Sequence, residues 1–180
     1  MANGFTPTAG DLPAEYGLFG DVFIVTAANH NDGNMGGKPA EPQCAIQLEL
    51  ASNLDSVDQA EEAALSIATQ CGVSEDELHR VGISVREAMV NAVVHGNKYN
   101  RNKKVQFRVD TSSDRMTVTI ADEGTGFDPE AVPDPNTDDN VLRQSGRGIM
   151  LMKAFMDGYE VSVRPGGGTE VRLFKNLSQA

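Results

Sequence analysis

The run from Ser84 to Gly96 constrains the fold most, because it sets three polar side chains four residues apart among good helix formers and apolar residues. In a helix of ~100° per residue, Glu87, Asn91 and His95 lie along one side with ~40° of drift per step. The apolar side of that helix centres on Ala88, so the polar row lies beside the interior rather than opposite it. A carboxylate and an amide at that border need hydrogen-bonding partners, which a neighbouring loop or a bound ligand could supply.

The composition indicates one domain with an appendage. A chain of 180 residues is long enough to bury a core, and its net charge of -11 argues against direct nucleic-acid binding through a general basic surface. The N-terminus has neither the basic region nor the unbroken apolar run of a signal peptide, and no segment approaches the ~20 apolar residues of a membrane span. We therefore expect a cytoplasmic protein without membrane contact, whose cysteines, Cys44 and Cys71, stay reduced.

The character of the chain changes near residue 44. Residues 1–43 are rich in Gly, Pro and Asn and predict a poorly ordered extension that carries one strand-like patch at 22–26. Residues 44–180 predict the folded domain. Its predicted elements are a strand at 44–50, a helix capped by Ser56 that runs to about Cys71, a long helix that begins at a Ser74/Glu77 capping box, a hairpin of 104–111 with 115–121, a helix at 149–156 and a hairpin of 159–164 with 169–174.

Two glycine-rich segments carry the other candidate chemistry. Asp122 ends a predicted strand and can accept hydrogen bonds from an exocyclic amine, while Gly124 and Gly126 let the backbone approach a ligand closely, although such a pattern is often only a turn. The second segment, 145–149, enters a helix and is typical of an anion site. Between them, residues 128–140 are acidic, carry three prolines and predict a mobile loop.

The ordered set E-x-x-x-N-x-x-x-H-G, D-x-G-x-G, G-x-G at a helix start and G-T on the last strand resembles the nucleotide-binding boxes of the histidine-kinase-like (GHKL) ATPase superfamily. It spans about residues 44–174. The runs NAVVHGN, ADEGTGFD and SGRGIMLMKAFMD look most like the small anti-sigma-factor serine kinases. The resemblance implies an α+β fold, a two-layer α/β sandwich in which a mixed, mostly antiparallel sheet is packed under three helices, with ATP between the helices and a lid.

The resemblance also implies a role for each motif residue. Glu87 would be the general base, Asn91 the Mg2+ ligand, and Asp122 the acceptor of the adenine amino group. His95 is more simply explained as a structural residue that bonds locally. For Arg143 and Arg147 three alternatives stay open: contact with the phosphates, contact with a partner, or exposure to solvent. The remaining ATP-binding candidates are Gly124, Gly126, Gly146, Arg147, Gly148 and Thr169.

The implied function is an ATP-dependent protein serine/threonine kinase that acts as an anti-sigma factor. It would phosphorylate a STAS-type anti-anti-sigma protein and sequester a sigma factor in that protein's absence, and a homodimer is left open. The alternative is an ATP-binding partner-switch module that captures a regulatory protein without phosphoryl transfer. A sensor-kinase catalytic piece is disfavoured because no phospho-accepting helix pair precedes residue 44, and a gyrase-like ATPase would need a following transducer domain.

Overall fold

A computed structural model describes residues 16–19, 22–25, 43–126 and 144–177, with side chains for 45–126 and 147–177. Seven strands, three α-helices and one π-helical turn lie in these residues. In chain order they are β1 Tyr16–Phe19, β2 Val22–Val25, β3 Gln43–Ala51, α1 Asp55–Gln70, α2 Glu75–Val90, the π-helical turn Asn91–Gly96, β4 Lys104–Thr111, β5 Arg115–Ala121, α3 Gln144–Phe155, β6 Gly158–Val163 and β7 Thr169–Asn176.

Strands β3 to β7 form one five-stranded sheet in the order β3-β4-β5-β7-β6, and all four of its strand pairings are antiparallel. The period-2 pattern of the sequence produces this arrangement, since alternate residues of a strand face opposite sides of the sheet. In β3, Ile46 and Leu48 are buried, whereas Gln47 between them is exposed. The centre of the core is Phe107 on β4, which pairs with Ile120 on β5 and is fully buried.

The three helices contribute their apolar sides to the same core as the sheet, which gives the two-layer α+β sandwich that the resemblance implied. On α2, Val81, Val85 and Ala88 are buried, as the 3.6-residue pattern predicted. α1 packs beside α2, and Arg86 joins them through ion pairs of 2.7 Å to Asp58 and to Glu61. Helix α2 is therefore fixed on the sheet, and the polar row that it carries has a defined position.

Both predicted helix caps are wrong in detail. Ser56 does not cap α1, because Asn53 Oδ1 accepts hydrogen bonds from both the backbone N–H and the hydroxyl of Ser56. Ser74 is the first flanking residue of α2 but makes no capping hydrogen bond. Glu77 does not complete a capping box, since its carboxylate forms ion pairs with Arg80 and with Lys175 on β7.

The boundaries of the other elements agree with the sequence, with two differences. Helix α3 begins at Gln144, well before the predicted Ile149, so the glycine-rich segment lies inside the helix. Residues 22–26 were predicted to have strand character and contain β2, which pairs with β1, a strand that was not predicted. The proposed lid at 128–140 and Arg143 lie outside the described residues. Among the described helices, none has the length and apolarity that crossing a membrane requires.

Candidate functional site

A cavity of about 160 Å3 lies between α2, the π-helical turn, α3 and the ends of β5 to β7. Most of its wall is apolar, and burial raises the pKa of its one phenol, Tyr159, so this wall carries no charge at neutral pH. Its polar groups are few, which is typical of a site that binds a largely apolar ring and fixes its orientation. The apolar wall consists of Ala88, Ala92, Ile120, Ile149, Tyr159, Val161 and Val171, and the polar side chains are those of Asn91, His95, Asp122 and Thr169.

Asp122 is the buried carboxylate of this cavity, with 4% of its surface exposed. It follows the last residue of β5, and its backbone N–H donates to the Thr169 carbonyl at 2.9 Å. Its Oδ1 accepts hydrogen bonds from the N–H of Gly124 at 2.7 Å and of Thr169 at 3.2 Å. Its Oδ2 accepts none from the part of the chain that the structure describes, so this oxygen is available to a ligand in the cavity.

The space around the Asp122 carboxylate exists because the residues packed against it are glycines. A Cβ atom on Gly96 would lie 2.4 Å from Asp122 Cγ, and one on Gly124 would lie 2.5 Å from the Gly96 carbonyl oxygen. Gly168 has a φ of +91°, and a Cβ there would lie 2.1 Å from the Asp122 carbonyl oxygen. Real Cβ atoms do not approach other heavy atoms so closely. The D-x-G-x-G segment is therefore a close-packed cradle around Asp122, not merely a turn.

Asn97 connects the segment around Asp122 to the rest of the fold through hydrogen bonds, and it was not predicted from the sequence. Only 2% exposed, it donates from Nδ2 to the Ser52 hydroxyl at 2.8 Å and to the Lys104 carbonyl at 2.9 Å. Its Oδ1 accepts from the N–H of Glu123, the residue after Asp122, at 2.8 Å. An asparagine in a polar turn predicts nothing so specific, and only its place directly after the H-G of the helix motif pointed to it.

The polar row continues from α2 into the π-helical turn. Asn91 is half-buried and His95 is exposed, and both line the cavity, as one side of a helix should. The N–H of Asn97 bonds to the carbonyl of Ala92, five residues earlier, which is the π-helical spacing. The His95 imidazole makes no hydrogen bond with the described residues, so the local bonding expected for this side chain is not observed.

Glu87 is half-buried and lies outside the cavity wall, against α3. A Cβ atom on Gly148 would lie 2.6 Å from Glu87 Oε2. The Glu87 carboxylate can pack this closely against α3 because Gly148 has no side chain. Because α3 begins at Gln144, the N–H of Gly146 belongs to the first turn, where helical N–H groups have no intrahelical acceptor. Gly148 lies beyond that turn. The two glycines, predicted to act alike, therefore differ in position.

The structure places the other candidates around the same site. Gly126 lines the cavity with a φ of +91°, Thr169 borders both the cavity and Asp122, and Arg147 is exposed on α3. Arg164 was not predicted as a site residue, yet its guanidinium donates to the Asp122 carbonyl at 3.0 Å. Within the described residues, no group of three or more His, Cys, Asp or Glu side chains could hold a metal ion.

Comparison with known proteins identifies the family of this chain. Residues 50–175 match the family of histidine kinase-like ATPase domains. The chain is 34% identical over 139 residues to the serine-protein kinase RsbW of Bacillus subtilis strain 168, covering 74% of this chain and 86% of that protein. It is 33% identical over 137 residues to the anti-sigma F factor of the same strain, covering 75% of this chain and 94% of that protein.

Among solved structures, the histidine kinase domain of the Erythrobacter litoralis EL346 blue-light activated histidine kinase matches with a TM-score of 0.45 and 21% identity, over 79% of this chain and 67% of that chain. The family match and the two sequence relatives define the class. The chain belongs to the histidine kinase-like ATPase family, and its relatives there include anti-sigma factors and a serine-protein kinase. ATP is the nucleotide of such a domain.

Proposed function

We propose that this protein is an ATP-dependent protein serine/threonine kinase that acts as an anti-sigma regulatory factor. The observation that carries the proposal is the buried Asp122, whose Oδ2 is available at the end of a small apolar cavity. Of the two candidates for catalysis and metal binding, Glu87 lies on α2 and Asn91 begins the π-helical turn that continues α2. Both elements border the cavity. The names of the relatives at 33% and 34% identity supply the regulatory context.

The cavity suits the adenine ring. Its volume of about 160 Å3 is below the ~300–1,000 Å3 of sites that enclose a drug-sized ligand, so it holds one flat ring system and leaves the ribose and phosphates outside. Asp122 Oδ2 accepts the hydrogen bond of the adenine amino group. Because Oδ1 is already bonded to Gly124 and Thr169, the carboxylate cannot turn away from the base. Gly126 leaves space beside the ring.

The residues also fit a magnesium ion, which prefers oxygen ligands and keeps several waters. Asn91 offers an amide oxygen at the cavity wall, and the phosphates of ATP would complete the ligand set. A magnesium ion held there would supply the positive charge that neutralises the phosphates during transfer. The N–H groups in the first turn of α3, including that of Gly146, and the Arg147 guanidinium are the donors that we assign to the phosphates.

Glu87 is assigned the proton transfer. As the serine oxygen of the partner bonds to the γ-phosphorus, the bond from that phosphorus to the β–γ bridging oxygen breaks, ADP leaves, and the Glu87 carboxylate takes the serine proton. Its position against Gly148 places it beside α3, the helix that we assign to the phosphates. Positioning and charge neutralisation supply most of such a transfer, and this site contains groups for both.

The phosphorylated partner is a STAS-type antagonist, and the captured partner is a sigma factor. The relative named anti-sigma F factor supports capture of a sigma factor. The relative named serine-protein kinase supports phosphoryl transfer to a protein serine. A cytoplasmic location follows from partners that belong to the transcription machinery.

The direct test is transfer from radiolabelled ATP to each STAS-domain protein encoded in the same genome. We expect one of them to be labelled, and Glu87→Gln to reduce its labelling rate by about 10²–10⁴-fold while ATP binding survives, because the amide keeps the shape but cannot take a proton. Glu75→Gln, at an exposed glutamate on the same helix, is the matched control and should label at the wild-type rate.

The same experiment distinguishes the kinase from the alternative, an ATP-binding module that captures its partner without phosphoryl transfer. If wild-type protein labels none of the STAS-domain proteins, but holds a partner in an ATP-dependent complex that Glu87→Gln leaves intact, the protein captures its partner without phosphoryl transfer and the kinase assignment is wrong.

A further inference from the structure

The seven residues from Lys98 to Lys104, which we call the basic turn, contain four cationic side chains and no acidic one. The chain as a whole has 15 basic and 26 acidic residues and a net charge of -11. More than a quarter of its cations are thus concentrated in one short connection between the π-helical turn and β4. The four are Lys98, Arg101, Lys103 and Lys104.

None of these four cations has an ion-pair partner within the described residues. The other described cations are mostly engaged. Arg80, Arg86, Arg108, Arg172 and Lys175 form ion pairs, Arg115 and Lys153 lie over aromatic rings, and Arg164 donates to the Asp122 carbonyl. In so acidic a protein, unpaired cations grouped at one place are available to an external anion.

The basic turn is held in a strained shape. Lys98 and Tyr99 have φ values of 53° and 55°, the left-handed region that costs a residue with a side chain roughly 1–2 kcal/mol. The buried Asn97 fixes its start, and the Lys103 carbonyl accepts from the Ser52 hydroxyl at 2.8 Å. Glycine would relieve the strain at position 99, yet a tyrosine that is 49% exposed stands there. Tyr and Arg are the residues that most often anchor protein interfaces.

The basic turn lies beside the nucleotide site and does not form its wall. It follows Gly96, which borders the cavity, and none of its own residues lines the cavity. Gly96 is nine residues after Glu87, roughly 14 Å along the axis at 1.5 Å per residue, and the basic turn begins two residues later. A protein that presents a serine to Glu87 is large enough to contact both places at once.

We propose that the basic turn is the docking surface for an acidic segment of the protein partner, with Tyr99 as its aromatic anchor. The inference deepens the proposed function and rests on it for the identity of the partner. A nucleic acid fits less well, because four cations neutralise few phosphates and the rest of this chain repels a polyanion of that length. An acidic peptide segment is short enough to meet the local positive charge, since charges beyond ~10 Å are screened at 0.1 M salt.

The first experiment measures binding of fluorescent poly-L-glutamate to the full chain by anisotropy, with a labelled DNA duplex as the competing probe. The variant is Lys98→Glu/Arg101→Glu, and Arg115→Glu/Lys153→Glu is the control, because it changes the net charge equally at two exposed cations elsewhere. We expect wild type to bind poly-L-glutamate, the variant to bind about tenfold or more weakly, and the control to stay within about twofold of wild type.

Sedimentation of wild type and variant is measured alongside, and four results overturn the proposal. If poly-L-glutamate does not bind wild type, or if both charge variants weaken it equally, the basic turn has no specific role. If the duplex binds more tightly and through the same two residues, the partner is a nucleic acid. If the variant changes sedimentation from dimer to monomer, the surface joins two copies of this chain.

The second experiment uses Tyr99→Gly, which separates a contact from a structural role. Glycine favours a φ of +55°, so the melting temperature should stay the same or rise, while poly-L-glutamate binding should weaken by about fivefold or more. Unchanged binding would remove Tyr99 from the surface and contradict the proposal as stated.

The STAS-domain protein that is labelled in the kinase assay supplies the third measurement. The double charge variant should raise its KM with little change in kcat and no change in the KM for ATP. A raised KM for ATP would instead assign the turn to the nucleotide site and overturn the proposal. Since binding of poly-L-glutamate needs no catalysis, failure of the proposed kinase activity and failure of this surface give different results.

Discussion

Gly96 and Asp122 are in contact so close that no other residue fits at position 96: a Cβ there would lie 2.4 Å from the Asp122 Cγ and 2.6 Å from Oδ2. The glycine ends the π-helical turn, and the aspartate follows β5, so this contact joins the helical wall of the cavity to the sheet. The H-G pair of the helix motif and the aspartate of D-x-G-x-G are therefore parts of one site.

Gly96→Ala should abolish nucleotide binding. The added methyl group must displace the Asp122 carboxylate or the turn, and such overpacking costs about 1–3 kcal/mol of folding stability. Calorimetric titration with ATP and a thermal melt measure the two effects. Gly72→Ala is a useful comparison, because nothing lies within 4 Å of a Cβ there, although its φ of +75° makes it a strained substitution too. Normal ATP affinity in Gly96→Ala would contradict the close contact.

Asn97→Ala should lower the free energy of unfolding by about 2–3 kcal/mol and weaken ATP binding as well. Three hydrogen bonds are lost, and the part-buried N–H of Glu123 and carbonyl of Lys104 lose their bond to this side chain. Urea denaturation and calorimetry measure both effects. Asn102→Ala, at an exposed asparagine in the same connection, is the matched control and should change neither. A variant at Asn97 with normal ATP affinity would mean that Asp122 is positioned without this network.

Gly148→Ala should separate transfer from binding. The atom that its Cβ would meet is the end of a flexible side chain, Glu87 Oε2 at 2.6 Å, so the carboxylate can move aside at little cost to the fold. Alanine also favours a helix by ~0.8–1 kcal/mol relative to glycine. We therefore expect a stable protein that binds ATP but transfers phosphate at least tenfold more slowly. Full activity would show that the position of Glu87 against α3 is not the catalytic one.

Asn91→Ala should behave differently, since it removes the proposed metal ligand. ATP binding measured with Mg2+ should weaken, whereas binding measured with EDTA should be nearly that of wild type. The comparison needs only calorimetry. Equal losses with and without Mg2+ would mean that Asn91 contacts the nucleotide or the fold rather than the ion.

The sequence predicted what depends on local periodicity and composition. Strands β4 and β5 begin and end at the predicted residues, and the buried face of α2 is the predicted one. It did not predict what depends on contacts between distant segments. At the start of α1, the side chain that accepts the capping hydrogen bond is that of Asn53 and not that of Ser56. Glu77 forms an ion pair with Lys175, more than ninety residues away, instead of the predicted capping box.

The site divides in the same way. Asp122 and Gly126 could be named from their motif, because strand-end aspartates and paired glycines leave a local pattern. Asn97 and Arg164 could not, since the first is a polar residue in a polar turn and the second is an ordinary strand-end arginine until the fold brings it to the Asp122 carbonyl. The π-helical turn has no signal in the 3.6-residue pattern, so the sequence predicted a plain α-helix through Gly96.

The most direct test of the account is a calorimetric titration of wild type and Asp122→Asn with ATP and with GTP. An amide at position 122 offers one acceptor oxygen instead of two, and mispairing a buried group costs about 1–3 kcal/mol. We expect wild type to bind ATP in preference to GTP, and Asp122→Asn to lose most of its ATP affinity and of that preference while remaining folded. Wild-type protein that is folded yet binds neither nucleotide, or an Asp122→Asn variant with the wild-type preference, would contradict it.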